Sequence, residues 1–224
     1  SSLVKISIPS SVTEIKEFPF KECSKLSEIS FESPSSLKSI EYGAFNECSS
    51  LVKISIPSSV TEIGERSFFK CNKLSEVSFE SPSSLKSIGK ESFSECSSLV
   101  KISIPSSVTQ IGNYCFVSCL ELVEVSLNSS SSLKSIGNHA FRNCKSLKQI
   151  IIPSFVTDIE SCAFCGCSSL TQIAIPSSVI NIGNNIFSGC TSLKQISIDF
   201  SLVPKIGNQF NGCKSLQQIL INQS

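Results

Sequence analysis

The sequence predicts a repeat solenoid, a stack of coils in which each coil lays one short strand beside the strand of the coil before it. Three observations carry this. The twelve residues SLVKISIPSSVT occur at 2–13, 50–61 and 98–109. A leucine recurs at Leu3, Leu26, Leu51, Leu74, Leu99, Leu122, Leu147, Leu170, Leu193 and Leu216, in steps that alternate between 23 and 25 residues up to Leu147 and are 23 thereafter. Between these leucines, Ile, Val, Phe and Cys return at fixed offsets. Self-similarity at such a period is the mark of stacked units. An active site needs one copy of its chemistry, so multiplicity points to architecture first.

Each element of the unit L-x-x-I-x-I-P-x-x-V-x-x-I-G-x-x-A-F-x-x-C-x-x follows in order. LVKISI is short and β-branched, and Ile6 and Ile8 share a face by period two. Proline follows at Pro9, Pro57, Pro105, Pro153 and Pro176. It has no N–H for a central ladder, so the strand should end there. VTEIG then turns Val60 and Ile63 inward. The long units replace the IPSSV connection with FESPSSL (31–37, 79–85) or LNSSSSL (127–133), a two-residue insertion in one loop that a stack tolerates. Lys16, Glu41 and Glu160 occupy the glycine position of other units. The glycine is therefore expected to relieve a turn rather than to require left-handed backbone. Phe and Cys fall three apart, as in GNYCFVSC (112–119), which suits one or two helical turns with Asn113, Asn138, Asn184 and Asn208 as N-caps.

One coil alone cannot bury its apolar face, so stability must grow with the array. Residues 1–224 are thus expected to form a single domain of about nine 23- or 25-residue repeats without polar capping modules. Exposed ends invite either flanking repeats or homo-oligomerisation. The predicted core holds Phe20, Phe45, Phe68, Phe93, Phe116, Phe141, Phe164 and Phe187. It also holds the cysteine column, with Cys48, Cys71, Cys96, Cys119 and Cys144 at its centre and Cys115 beside it. A column of cysteine reads as a buried small hydrophobe. Parallel side-chain vectors suit disulfides poorly.

The stretch IPSSVTEIGERSFFKCNKL (56–74) resembles the BspA-like, Treponema-type leucine-rich repeats, and the resemblance extends over essentially the whole chain. It implies a right-handed, horseshoe-like superhelix with a concave parallel β-sheet and short or helical turns on the convex side. It implies a binding role in adhesion or protein recognition, at the surface of mucosal bacteria and parasitic protists, and it supplies no catalytic residue. One local departure is DFSLVPKIG (199–207), where the IPSSV loop is missing and the spacing from Ile206 to Phe210 is one residue short. That coil is expected to be distorted or to act as a partial cap.

The candidate binding surface lies on the outward positions of the strands. One column reads Lys5, Glu28, Lys53, Glu76, Lys101, Glu124 and then Gln149, Gln172, Gln195, Gln218. Parallel pairing in register would set each lysine beside a glutamate. The next column is serine over the first six strands, from Ser7 to Ser126, and then Ile151, Ala174, Ser197 and Leu220. Small side chains leave the first part flat. Ile151, Leu220, Phe155, Phe200 and Leu202 are expected to make the C-terminal part apolar, as a contact surface or a seal over the last repeat.

Other functions find less support. Lys+Arg is 19 and Asp+Glu 18, a net charge of +1 that offers no pull toward nucleic acid or an anionic membrane. No apolar run is long enough to span a bilayer. No leader precedes the first repeat and methionine is absent, so the chain is expected to be a processed product or excised piece, with any targeting signal outside it. His139, the one histidine, lacks a nucleophile elbow, and Asp158 lies one unit away. Cys162 and Cys165, in CAFCGC, fall on variable positions expected to be exposed, with no second pair or histidine to complete a metal tetrahedron. Asn128-Ser-Ser and Asn222-Gln-Ser fit the N-glycosylation pattern, as chance matches in a chain rich in Ser and Asn. The sequence therefore reads as a non-catalytic module, without cofactor or metal, that binds a protein or glycan partner (a host or matrix protein, or itself) at the cell surface. The alternative is an intracellular scaffold that uses the same faces.

Overall fold

The computed structural model describes residues 2–127, 130–205, 207 and 209–222. Each coil up to Asn181–Ile182 contributes two strands, so the chain winds as a parallel β-solenoid with strands on two sides.

The wide sheet contains Lys5–Ile8, Glu28–Phe31, Lys53–Ile56, Glu76–Phe79, Lys101–Ile104, Glu124–Leu127 and Gln149–Ile150, in sequence order and all parallel. A three-stranded continuation holds Gln172–Ala174, Gln195–Asp199 and Gln218–Asn222. The ladder is interrupted between Gln149–Ile150 and Gln172–Ala174, although Thr171 N still donates to Lys148 O at 3.3 Å across the gap. Strands that precede a proline stop there, as at Ile8, Ile56 and Ile104. The narrow sheet is an eight-stranded ladder of two-residue strands, from Glu14–Ile15 to Asn181–Ile182, which sets Ile15, Ile40, Ile63, Ile88, Ile111, Ile136, Ile159 and Ile182 side by side.

The core fills the space between these sheets and the turns. Phenylalanine rings stack from Phe20 to Phe210 with centroids 5.2–6.0 Å apart and interplanar angles of 1–13°. Phe45, Phe68, Phe93, Phe116, Phe141, Phe164 and Phe187 are fully buried, whereas Phe20, first in the stack, is half-buried because a ring covers it on one side only.

The expected helical turns are absent: residues between the narrow strand and the cysteine form successive turns instead. Their amides alternate. Gly43, Phe45 and Glu47 donate to Glu65, Ser67 and Phe69 of the next coil at 2.9, 2.8 and 2.7 Å. Ala44, Asn46 and Cys48 donate three residues back within their own coil. A helix would consume every amide inside the coil, whereas this arrangement reserves every second one for the neighbour. It requires left-handed backbone at two places per coil: Gly43 and Glu47, Arg66 and Lys70, Glu91 and Glu95, with φ of 56–61°. The asparagines serve the stack rather than cap helices. Asn113 Oδ1 accepts from Asn138 N at 2.9 Å, the Asn138 amide donates to Glu160 Oε2, and Asn184 N donates to Ser161 Oγ at 3.1 Å. Asn208 lies outside the described residues.

The glycine after the second isoleucine is also corrected. It is not turn relief but close approach between coils. A Cβ on Gly112 would stand 2.6 Å from Gly89 C, and one on Gly183 would stand 2.3 Å from Ser161 N. Lys16, Glu41 and Glu160 show that a few coils leave more room there.

The shortened C-terminal coil is distorted, as the missing IPSSV loop predicts. A 3₁₀ helix, Phe200–Lys205, takes the place of that connection. Leu202 is buried by it, contrary to the expectation that it joins an exposed patch. Gln209 is buried too: its Oε1 accepts from Ile186 N at 2.8 Å and its Nε2 donates to Gly183 O at 2.7 Å. In the last strand the inward Ile219 and Ile221 are 40% and 49% exposed, because among the described residues no coil packs beyond them.

Candidate functional site

The outward columns of the wide sheet form the candidate surface. Strand register sets Lys5 beside Glu28, Glu28 beside Lys53, Lys53 beside Glu76, Glu76 beside Lys101, and Lys101 beside Glu124. Glu124 then pairs with Gln149, and Gln172, Gln195 and Gln218 continue the row. Of the charged neighbours, Lys5–Glu28 at 2.7 Å and Lys101–Glu124 at 3.0 Å form ion pairs. Glu28 is held below its usual carboxylate range by the hydrogen bond from Lys5, then by its charge. Glu124 is lowered by the Lys101 and Ser126 hydrogen bonds and the Lys101 charge. Lys53 and Glu76 share the same register without a close ion pair. They line a hollow of about 400 Å³ with Glu28, Ser30, Ser55 and Ser78.

The second column is exposed serine from Ser7 to Ser126 and then changes character. Ile151 is 77% exposed, the most exposed large apolar side chain among the described residues. It stands between a hollow of about 370 Å³, shared with Ser103, Glu124 and Ser126, and one of about 350 Å³, shared with Gln172, Ala174 and Gln195. Leu220 is only half-buried and lies three strands farther on. Phe155 replaces the serine whose hydroxyl elsewhere bonds the preceding coil, as Ser59 Oγ does to Leu37 O at 2.7 Å. Its ring is exposed and carries Lys134 Nζ 5.4 Å from its centroid. Phe200 is also exposed, at the start of the 3₁₀ helix. Ile180, 62% exposed beside the narrow sheet, is a further surface residue; its signal in the sequence is an isoleucine in a column that is Thr or Lys in every preceding coil.

All twelve cysteines are free thiols. The column residues do more than fill space. Cys48, Cys71, Cys96, Cys119, Cys144, Cys167, Cys190 and Cys213 each donate to the carbonyl of the phenylalanine in the preceding coil, at 3.0–3.2 Å. Burial pushes the Cys48 and Cys190 thiols up to about 12, and it raises Cys71, Cys96 and Cys144 well above the ordinary thiol value too. Cys162 and Cys165 are half-buried rather than exposed. Among the described residues no group of three His, Cys, Asp or Glu side chains converges as a metal site. His139 stacks on Tyr114 at 4.8 Å, and burial, then Arg142, lowers its pKa. The glycosylation match at 128–130 begins outside the described residues, and that at 222–224 ends outside them. No helix among the described residues is long and apolar enough to cross a membrane.

A stacked scaffold that displays a broad parallel sheet is the class this geometry defines, a leucine-rich-repeat solenoid of the kind that suggests a protein-interaction module. The profile of the BspA type leucine rich repeat region matches residues 1–123, 77–159 and 121–224, and the chain belongs to that family. Among solved structures it is similar to a leucine-rich repeat protein of Bacteroides ovatus, with 30% identity and a TM-score of 0.73 over 98% of this chain and 61% of that one. It is also similar to the leucine-rich repeat protein of Treponema pallidum, with 28% identity and a TM-score of 0.65 over 86% and 79%. A leucine-rich cell surface protein of Faecalibacterium prausnitzii matches at 25% identity and a TM-score of 0.51 over 99% and 60%. The chain thus spans 61% of the length of the Bacteroides protein. No curated protein matches it.

Proposed function

We propose that this chain is an adhesion module at a cell surface, and that it docks a protein partner on the wide sheet around Ile151. The observation that carries the reading is an apolar side chain 77% exposed on a sheet face, set between two hollows and flanked by a row of glutamines. An exposed isoleucine supplies contact area, and the glutamines supply hydrogen-bond donors and acceptors without a charge to desolvate. The Lys/Glu ladder beyond them would orient a partner more than it would add affinity. The cell-surface setting draws support from the Faecalibacterium neighbour.

The test is binding of the purified chain to immobilised matrix and mucosal proteins, comparing wild type with Ile151→Arg and Ile180→Arg. The expected result is a loss of at least about tenfold in affinity for Ile151→Arg, the penalty for a charge placed in a desolvated contact. Ile180→Arg, on the other side of the solenoid, should bind as wild type does. Equal binding by all three proteins rejects the wide sheet as the docking face.

A further inference from the structure

We propose that Cys162 and Cys165 are a reactive dithiol, the one place on this molecule where a disulfide forms under oxidising conditions. The proposal does not depend on the binding role of the wide sheet.

Placement separates these two thiols from the rest. Nine of the twelve cysteines are buried, and the three that are not are Cys162, Cys165 and Cys213. Cys213 is committed to Phe187 O at 3.0 Å. Cys167, the third cysteine of CAFCGC, is fully buried and committed to Phe141 O at 3.1 Å, so it points into the core and cannot reach its neighbours without unfolding the coil. Cys162 and Cys165 alone are both accessible and outside the thiol-to-carbonyl ladder.

Their geometry suits closure. Cys165 N donates to Cys162 O at 3.0 Å, so the four residues 162–165 form a hydrogen-bonded turn. The ends of such a turn lie within about 7 Å Cα to Cα, which overlaps the range that a disulfide spans. Cys162 sits in the left-handed region at φ 57°. Burial, then the neighbouring Cys162, raises the Cys165 thiol above its ordinary value, and Arg142 in the preceding coil offsets part of that rise.

The chemistry is thiol–disulfide exchange with a small disulfide such as oxidised glutathione. One thiolate attacks a glutathione sulfur, forms a mixed disulfide and expels one glutathione thiolate. The second cysteine, as its thiolate, attacks the protein sulfur and expels the other. Two protein thiols are oxidised to one disulfide, and one oxidised glutathione is reduced to two thiols.

The test incubates the folded chain with oxidised glutathione, quenches with acid, unfolds the protein, alkylates the remaining thiols and maps them by peptide mass spectrometry. Wild type should show a Cys162–Cys165 disulfide with the other ten cysteines alkylated. Cys162→Ser and Cys165→Ser should each stop at a mixed disulfide on the remaining thiol. Circular dichroism and the protected core thiols would report that these variants remain folded. The idea is overturned if wild type stops at the mixed disulfide, if the bond maps to Cys167 or another core thiol, or if neither cysteine reacts in the folded chain.

Discussion

The cysteine thiol is the smallest unit of this architecture with a partner in another coil. Each column thiol gives its proton to a phenylalanine carbonyl of the coil before it, as Cys119 Sγ does to Phe93 O at 3.1 Å. Alanine would fit the space but remove one of the two hydrogen bonds on that carbonyl, which also accepts from Cys96 N at 3.2 Å. Cys119→Ala is therefore expected to cost about 0.5–1.5 kcal/mol, the net worth of one hydrogen bond, measured as a fall in the urea midpoint. The same column makes stability sensitive to alkali. The folded state holds Cys48 and Cys190 at about 12, above the value near 9 of an ordinary thiol. A group whose pKa is raised by folding contributes its stability below the unfolded value and loses it as pH climbs to the folded value. The window here is about pH 9 to 12, and each such thiol should remove about 1.4 kcal/mol per pH unit within it. Urea midpoints at pH 8 and pH 10.5 would show the drop, and Cys48→Ala would show a shallower one. An unchanged midpoint would contradict the buried, neutral ladder.

Each coil's path is set by where backbones touch. Gly112 lies against the Gly89 backbone, so Gly112→Ala should push two coils apart and cost about 1–3 kcal/mol by thermal denaturation. Gly189 is different: its φ is +75° and a Cβ there would meet nothing closer than 3.6 Å. Gly189→Ala should cost only the left-handed penalty, about 1 kcal/mol. The same left-handed position carries Lys70, Glu95, Ser118 and Asn143 in earlier coils, which shows that the stack imposes the conformation whatever the residue. Neither glycine's role was readable from its own letter. Gly112 is required by the backbone of the preceding coil, Gly189 by its own left-handed φ.

Among the described residues, the strand pairings and ring stacks that join coils link only nearest neighbours, so cooperativity is close to one-dimensional. Rings from Phe45 to Phe187 are covered on both sides, whereas Phe20 is half-buried and Ile219 and Ile221 are open to solvent. Hydrogen exchange of this 224-residue chain should therefore be graded, with amides of the central coils protected longest and those of the first and last coils exchanging first. Uniform protection along the stack would show a more global unit. The candidate docking face sits at Ile151, beside the interruption in the wide sheet, rather than in the regular N-terminal part.

The sequence by itself determined the stack, the strands that end at proline, the inward Leu, Ile, Phe and Cys columns, and the neighbours in the Lys/Glu/Gln row. These follow from period: a residue's offset within a repeat decides which way it faces and which residue lies beside it one coil on. The tertiary structure alone decided the rest. It turned the expected helical turns into amides shared between coils, and it made Asn113 a bridge to the next coil instead of a cap. It also gave ion pairs to Lys5 and Lys101 but not Lys53, buried Leu202 and half-buried Cys162. Each of these depends on distances of a few tenths of an ångström to backbone 22–25 residues away, and no periodicity in the letters encodes a distance.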